Sequence, residues 1–203
     1  FEIQEKESNF YMIGSMGLAS SIGLGIALKN PKKIIFIFDG DGNILMNLGS
    51  LVTIGSFRPK NFVHIIFDNN IHESTGGQPT NISKINFEKI ANATNFKTFR
   101  ITSKKELILT LKNLRKFSGP VLLHILISPN PNTSKRITIS PKEIRNRVII
   151  SLKWYDLKVI FLAAGYGKRL GNLTKTLPKC LLKINGKSIL ERNIDAFLKN
   201  GIN

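Results

Sequence analysis

The sequence predicts an α/β fold: a parallel sheet with helices on both faces. Two observations carry this. Short, unbroken apolar runs such as Ile34-Ile35-Phe36-Ile37-Phe38 and residues 62–67 have strand length without the alternation of a half-exposed strand. Helical start signals fall between such runs, as in Ser103-Lys104-Lys105-Glu106 and Ser140-Pro141-Lys142-Glu143. Strands alternating with helices give parallel sheets covered by their crossovers.

Taken in order, residues 16–30 read as a helix whose small residues Gly17, Ala19, Ser20, Gly23 and Gly25 allow close packing. Residues 34–38 are a buried strand, 44–56 a helix and 62–67 a second strand of Phe, Val and Ile. A helix from about 87 to 94 takes Asn86 as its cap, 97–101 is a short strand, and the capping box at Ser103 opens a helix to about 116. Residues 120–127 form another apolar strand. A polar loop at 128–134 follows, then a helix from Pro141 to about 152. Residues 153–157 read as a linker, and a strand at 158–163 begins a second α/β unit that runs to Asn203.

Composition narrows the function classes. The 203 residues carry a net charge of +17, placed unevenly: residues 1–80 have 6 Lys/Arg against 7 Asp/Glu, so the excess lies beyond them. No basic run is interleaved with aromatics, and Lys, Asn and Ile are used heavily throughout, which favours a solvated face over a nucleic-acid surface. A lone cysteine, Cys180, excludes a disulfide framework and a Cys-based zinc site. No apolar run is long enough for a membrane span, so a soluble, cytoplasmic protein is expected. Phe1 and Asn203 both read as cut ends.

Parallel sheets bind ligands at the carboxyl ends of their strands, here the loops after 38, 67 and 163. The first is Asp39-Gly40-Asp41-Gly42-Asn43. Two glycines let the backbone approach a phosphate while the Asp41 carboxylate faces outward, and a helix starting near Ile44 would point its N–H groups the same way. The second strand is followed by Asp68-Asn69-Asn70-Ile71. If the strands are neighbours, Asp41 and Asn69, 28 residues apart, emerge side by side. Their carboxylate and amide oxygens suit Mg²⁺, whose octahedron substrate phosphates would complete. Gly-Asp-Gly alone is a weak signal. Paired with an Asn at the next strand end, it is a strong one.

These residues resemble the signature of thiamine-diphosphate enzymes. The resemblance implies that Asp41, Asn69 and the carbonyl of Ile71 ligate Mg²⁺ at the cofactor's diphosphate. Gly14-Ser15-Met16-Gly17 is similar to an earlier segment of that family. It implies that Met16 wedges the cofactor into its bent form and that the Gly14 carbonyl accepts from the aminopyrimidine. By itself Met16 would read as core packing. His72-Glu73-Ser74-Thr75-Gly76-Gly77-Gln78-Pro79-Thr80 resembles the loop of phosphonopyruvate and sulfopyruvate decarboxylases, as do residues 46–51 and Arg136 to Pro141. Residues 1–152 would be the cofactor-diphosphate domain, with His72 and Glu73 as catalytic candidates. The alternatives are His72 as a structural cap and Glu73 as a solvated acid. The glutamate that activates the pyrimidine comes in this family from a separate domain, so a homo- or hetero-oligomer supplying it is expected.

The second unit carries Ala163-Ala164-Gly165-Tyr166-Gly167-Lys168-Arg169 after a strand, then Pro178-Lys179. This resembles the opening of nucleotidyltransferases acting on sugar phosphates, choline phosphate or aminoethylphosphonate. It implies that Ala163, Ala164, Gly165 and Gly167 cradle an NTP such as CTP, with Arg169 and Lys179 neutralising departing diphosphate. Too little of that module is present for a complete transferase. Together the halves point to decarboxylation of 3-phosphonopyruvate to phosphonoacetaldehyde, fused to a partial cytidylyltransferase. Sulfopyruvate decarboxylase, an acetolactate-synthase-like carboligase and an inactive fragment or binding module are the rivals.

Overall fold

The apolar runs become four parallel strands. In the computed structural model, which describes residues 5–129, 137–152, 183–188, 191, 192 and 195, the chain divides into units of residues 1–145 and 146–203. In the first, α1 (Ala19–Lys29) precedes β1 (Ile35–Gly40), α2 (Asp41–Met46) and α3 (Gly49–Phe57). Then come β2 (Phe62–Asp68), a two-residue hairpin of β3 (Ile71–His72) and β4 (Gln78–Pro79), and α4 (Phe87–Ala93). The unit continues with β5 (Lys97–Ile101), α5 (Lys104–Asn113) and β6 (Val121–Leu126). Helix α6 (Pro141–Leu152) runs across the division between the units. The sheet order is β1-β2-β6-β5, every neighbouring pair parallel.

Local signals explain most boundaries. Asn86 caps α4 by accepting from Lys89 N–H at 2.9 Å, and Ser103 and Glu106 close the predicted capping box on α5. The first helix starts at Ala19 rather than residue 16, because Ser15 and Gly17 take left-handed φ of +58° and +84°. The helix expected over 44–56 is two helices. The first begins at Asp41, and Asn47 interrupts the run by turning its side-chain amide onto the Gly17 carbonyl at 2.9 Å. Helix α5 ends at Asn113 and tightens into a 3₁₀ turn over 114–116.

Two apolar layers flank the sheet. One joins Leu24 and Ala27 of α1, Leu51 and Ile54 of α3 and Phe87 of α4 to Ile37, Phe62, Ile66 and Leu122 of the strands. The other joins Val63, Ile65, Val121, Leu123 and Ile125 to Phe99, Leu107 and Phe117. Coverage is less complete than expected over β1, where Phe36 and Phe38 are 45 % and 63 % exposed and Phe38 stacks on Phe67. Burial therefore alternates along that strand.

In the second unit the described residues include a hairpin of β7 (Lys183–Ile184) and β8 (Lys187–Ser188). Asn185 and Gly186 turn it with φ of +50° and +81°, the left-handed pair that a tight two-residue turn requires. The strand predicted at 158–163 lies outside the described residues, as do Ala163, Ala164, Gly165, Gly167, Arg169, Lys179 and Cys180.

Candidate functional site at the strand tips

Parallel register builds the site. Gly40 pairs with Phe67, so β1 and β2 finish together and Asp41 and Asp68 stand at adjacent tips. Asp41, the first residue of α2, is almost fully buried, and one of its carboxylate oxygens accepts from the Thr80 hydroxyl across 39 residues of chain. Burial pushes the Asp41 carboxyl up. The Thr80 hydrogen bond offsets part of that, and the Asp68 carboxylate nearby pushes in the same direction as burial.

The β2 tip is held by its own side chains. Asp68 Oδ1 accepts from Asn70 N–H at 2.9 Å, and Asn69 Oδ1 accepts from Ile71 N–H at 3.2 Å. Two consecutive Asx turns result, and they carry Asn70 into the left-handed region at φ +61°. Asn69 Nδ2 donates to Glu73 Oε2 at 3.1 Å, and Thr80 N–H closes onto the Asn70 carbonyl at 3.0 Å.

The three segments singled out in the sequence converge here. A Cβ at Gly42 would lie 2.4 Å from His72 Nδ1, so the imidazole rests directly on the glycine of the first turn. A Cβ at Gly17 would lie 2.8 Å from the Asn43 carbonyl, so the 14–17 segment abuts the same helix start. Gly40 has open space where its Cβ would be. Met16 is half-buried between the left-handed Ser15 and Gly17, Gly14 is exposed, and Ile71 is half-buried. Among the described residues the His72 side chain makes no cap hydrogen bond to the turn that it precedes, and Glu73 is exposed. The helix start anticipated near Ile44 sits three residues earlier, at the acid itself. Sequence reasoning missed Thr80 as the partner of Asp41; its place at the end of the 72–80 loop was the available signal.

The donor set fits a hard cation. A buried carboxylate, an amide oxygen and a backbone carbonyl from neighbouring tips are oxygens of the kind Mg²⁺ takes, and a divalent charge would offset the penalty that burial and the nearby Asp68 carboxylate place on Asp41. Among the described residues no three of His, Cys, Asp and Glu gather as a metal site, so amide and carbonyl oxygens are needed to complete one. A cavity of about 450 Å³ bordered by Arg58, Lys60 and Lys97 lies at the opposite ends of the strands, away from these groups. No helix among the described residues is long and apolar enough to cross a membrane.

Several known proteins are similar to this chain. The sulfopyruvate decarboxylase subunit beta of Methanocaldococcus jannaschii is 44 % identical over 155 residues, covering 75 % of this chain and 81 % of that subunit. The phosphonopyruvate decarboxylase of Streptomyces viridochromogenes is 37 % identical over 149 residues, covering 72 % of this chain; the chain spans only 37 % of that enzyme's length. An X-ray structure of a Mycobacterium smegmatis protein described as thiamin diphosphate-dependent shares the fold, with TM-score 0.51 at 20 % identity, over 58 % of this chain and 23 % of that one. Residues 3–125 match the thiamine pyrophosphate enzyme C-terminal TPP binding domain. The chain belongs to that family of thiamine pyrophosphate enzymes.

Proposed function

We propose that this chain holds the diphosphate end of thiamine diphosphate together with Mg²⁺, in an enzyme that decarboxylates 3-phosphonopyruvate to phosphonoacetaldehyde and CO₂. The observation that carries it is the convergence at one sheet edge: Asp41 bonded to Thr80, His72 seated on Gly42, and Gly17 seated against Asn43. Asp41, Asn69 and the Ile71 carbonyl would hold the cation, while backbone from Gly40 to Asn43 would receive the diphosphate. Met16 and the Gly14 carbonyl would set the cofactor's bend. When bound, thiamine diphosphate supplies the electron sink that lets the bond to the departing carboxylate break. His72, whose ring lies against Gly42, would hand a proton to substrate or take one from it, with Glu73 next to it in the chain and tied to Asn69.

Sulfopyruvate is the second reading, favoured by the 44 % identity to a sulfopyruvate decarboxylase subunit over most of that subunit's length. Both substrates are 2-oxo acids with a second anionic group. The beta-subunit relative also supports a site completed by another polypeptide that carries the pyrimidine-binding half. A nucleotide-transferring module over 158–203, using CTP, remains a reading of Gly165, Gly167, Arg169 and Lys179 in the sequence alone.

The test uses the complete protein with the polypeptide that completes its site. Turnover of phosphonopyruvate, sulfopyruvate and pyruvate is compared, and Mg²⁺-dependent thiamine diphosphate binding is titrated with and without Asp41→Ala. We expect preference for an anionic 3-substituted pyruvate and an affinity loss of at least ~100-fold in the variant, since removing mere supporting groups around a metal already costs ~10–100-fold. Equal binding by the alanine variant would overturn the metal assignment.

A further inference from the structure

Behind the Asn69 turn lies a buried chain of polar groups that the proposed chemistry does not use. On β2, residues Phe62, His64, Ile66 and Asp68 share one face of the sheet, the face on which Leu122 and His124 of neighbouring β6 also lie. His124 places Nε2 2.8 Å from Asp68 Oδ2 and Nδ1 2.9 Å from Glu88 Oε1. The side chains of His124 and Asp68 are 5 % and 4 % exposed. The imidazole meets the Phe87 ring edge-on, with centroids 5.3 Å apart, and Arg100 reaches Glu88 at 3.6 Å from the outer side. Three strands and a helix, β2, β6, β5 and α4, thus meet through one ring and its two carboxylates.

We propose that His124 is a positioning residue for the divalent cation: by fixing the Asp68 carboxylate it sets the Asn69–Ile71 turn in its receiving conformation. The argument rests on the division of labour at Asp68. One of its oxygens is spent on Asn70 N–H in a half-buried hydrogen bond and the other on His124 in a buried one, so neither can swing without breaking a bond. Asn70 is left-handed without being glycine, a conformation that depends on local side-chain bonds of the Asx type. Asn69 and Ile71 flank it, and their oxygens are the ones assigned to the cation. Remove the imidazole, and Asp68 keeps the Asn70 N–H as its one remaining hydrogen bond among the described residues, so the turn loses its buried anchor. Histidine–carboxylate pairs behind metal ligands act in this way where they orient donors they never replace. The inference depends on the cation reading given above.

Two local measurements on His124→Gln test it: hydrogen exchange at the Asn70 amide, and the Mn²⁺ dissociation constant in the presence of thiamine diphosphate, read by electron paramagnetic resonance on the complete protein. Leu123→Ala is the control, equally buried in the same strand but on the opposite face. We expect Asn70 exchange and the Mn²⁺ dissociation constant each to rise at least ~10-fold in His124→Gln. The control should leave both within about 2-fold at a comparable fall in Tm. If both readouts merely follow Tm in the two variants alike, His124 only compensates for buried charge and the proposal is overturned. Should His124→Gln fail to fold, Asp68→Asn is read the same way, since it keeps an acceptor for Asn70 but weakens the link to His124. Failure of the cation reading is separate: the wild type would then bind no Mn²⁺, while Asn70 exchange would still decide the role of His124.

Discussion

The two strand tips solve one positioning problem in different ways. At the end of β1 the chain runs straight into α2, so helical geometry fixes Asp41, and Thr80 only finishes the job. At the end of β2 no helix follows. The turn continues into a two-residue hairpin, and side chains hold it: Asp68 to Asn70, Asn69 to Ile71 and Glu73, His124 behind them. The buried pairs behind the tips differ accordingly. Behind β1, His64 Nε2 faces Asp39 Oδ2 at 3.3 Å, while Asp39 Oδ1 and His64 Nδ1 have no hydrogen-bond partner among the described residues. Behind β2, His124 uses both ring nitrogens. Where backbone structure stops, side-chain hydrogen bonds take over.

The largest stability effect should come from breaking the second arrangement. His124→Leu takes the imidazole from two carboxylates at once, leaving Asp68 with Asn70 N–H and Glu88 with Arg100, and should cost ~3–5 kcal/mol, the range for removing one partner of a buried ion pair. Urea midpoints measure this directly. His64→Leu strands only Asp39, which already tolerates one unpaired oxygen, so a smaller loss of ~1–3 kcal/mol is expected. A reversed order would mean that the Asp39–His64 pair, and not the triad, anchors this face of the sheet.

That contrast also marks what the sequence could reveal. Strand runs, both Ser-based helix starts and the Asn86 cap are local, so residue type and spacing sufficed for them. That β1 and β2 end side by side was legible because each is a short apolar run closed by a polar turn. The interruption at Asn47 was not, since it depends on Gly17, 30 residues away. Nor was the partial exposure of β1, because an apolar run does not tell which face receives a helix. His124 and Glu88 gave no signal at all: a histidine inside Val121–Leu126 reads as a satisfied core residue until folding brings Asp68 and α4 to it.

The smallest effects are the most discriminating, because two carboxylates should respond to pH with opposite sign. Burial raises Asp41, so folding favours its protonated form. The stability it lends is present below its unfolded value of about 3.9 and is lost as pH rises through the folded one. Asp41→Asn should therefore melt higher than wild type at neutral pH in the absence of cation, on the order of 2–4 °C, with the gap closing toward acid. On the proposed assignment of Asp41 to the cation, Mg²⁺ with thiamine diphosphate should reverse that order. Glu88 runs the other way. Burial would raise it too, but the hydrogen bond to His124, backbone N–H groups and the charges of His124 and Arg100 together hold it below the ordinary range. Its contribution is present above about 4.3 and is lost as pH falls through the depressed folded value. Because Glu88 is partly exposed and screened, Glu88→Gln should cost no more than about 1 kcal/mol at pH 7, shrinking toward pH 3. Thermal melts of the three proteins from pH 3 to 8 give both difference curves. Two curves of the same sign would show that Asp41 is already compensated within the fold, leaving a cation no electrostatic penalty to relieve.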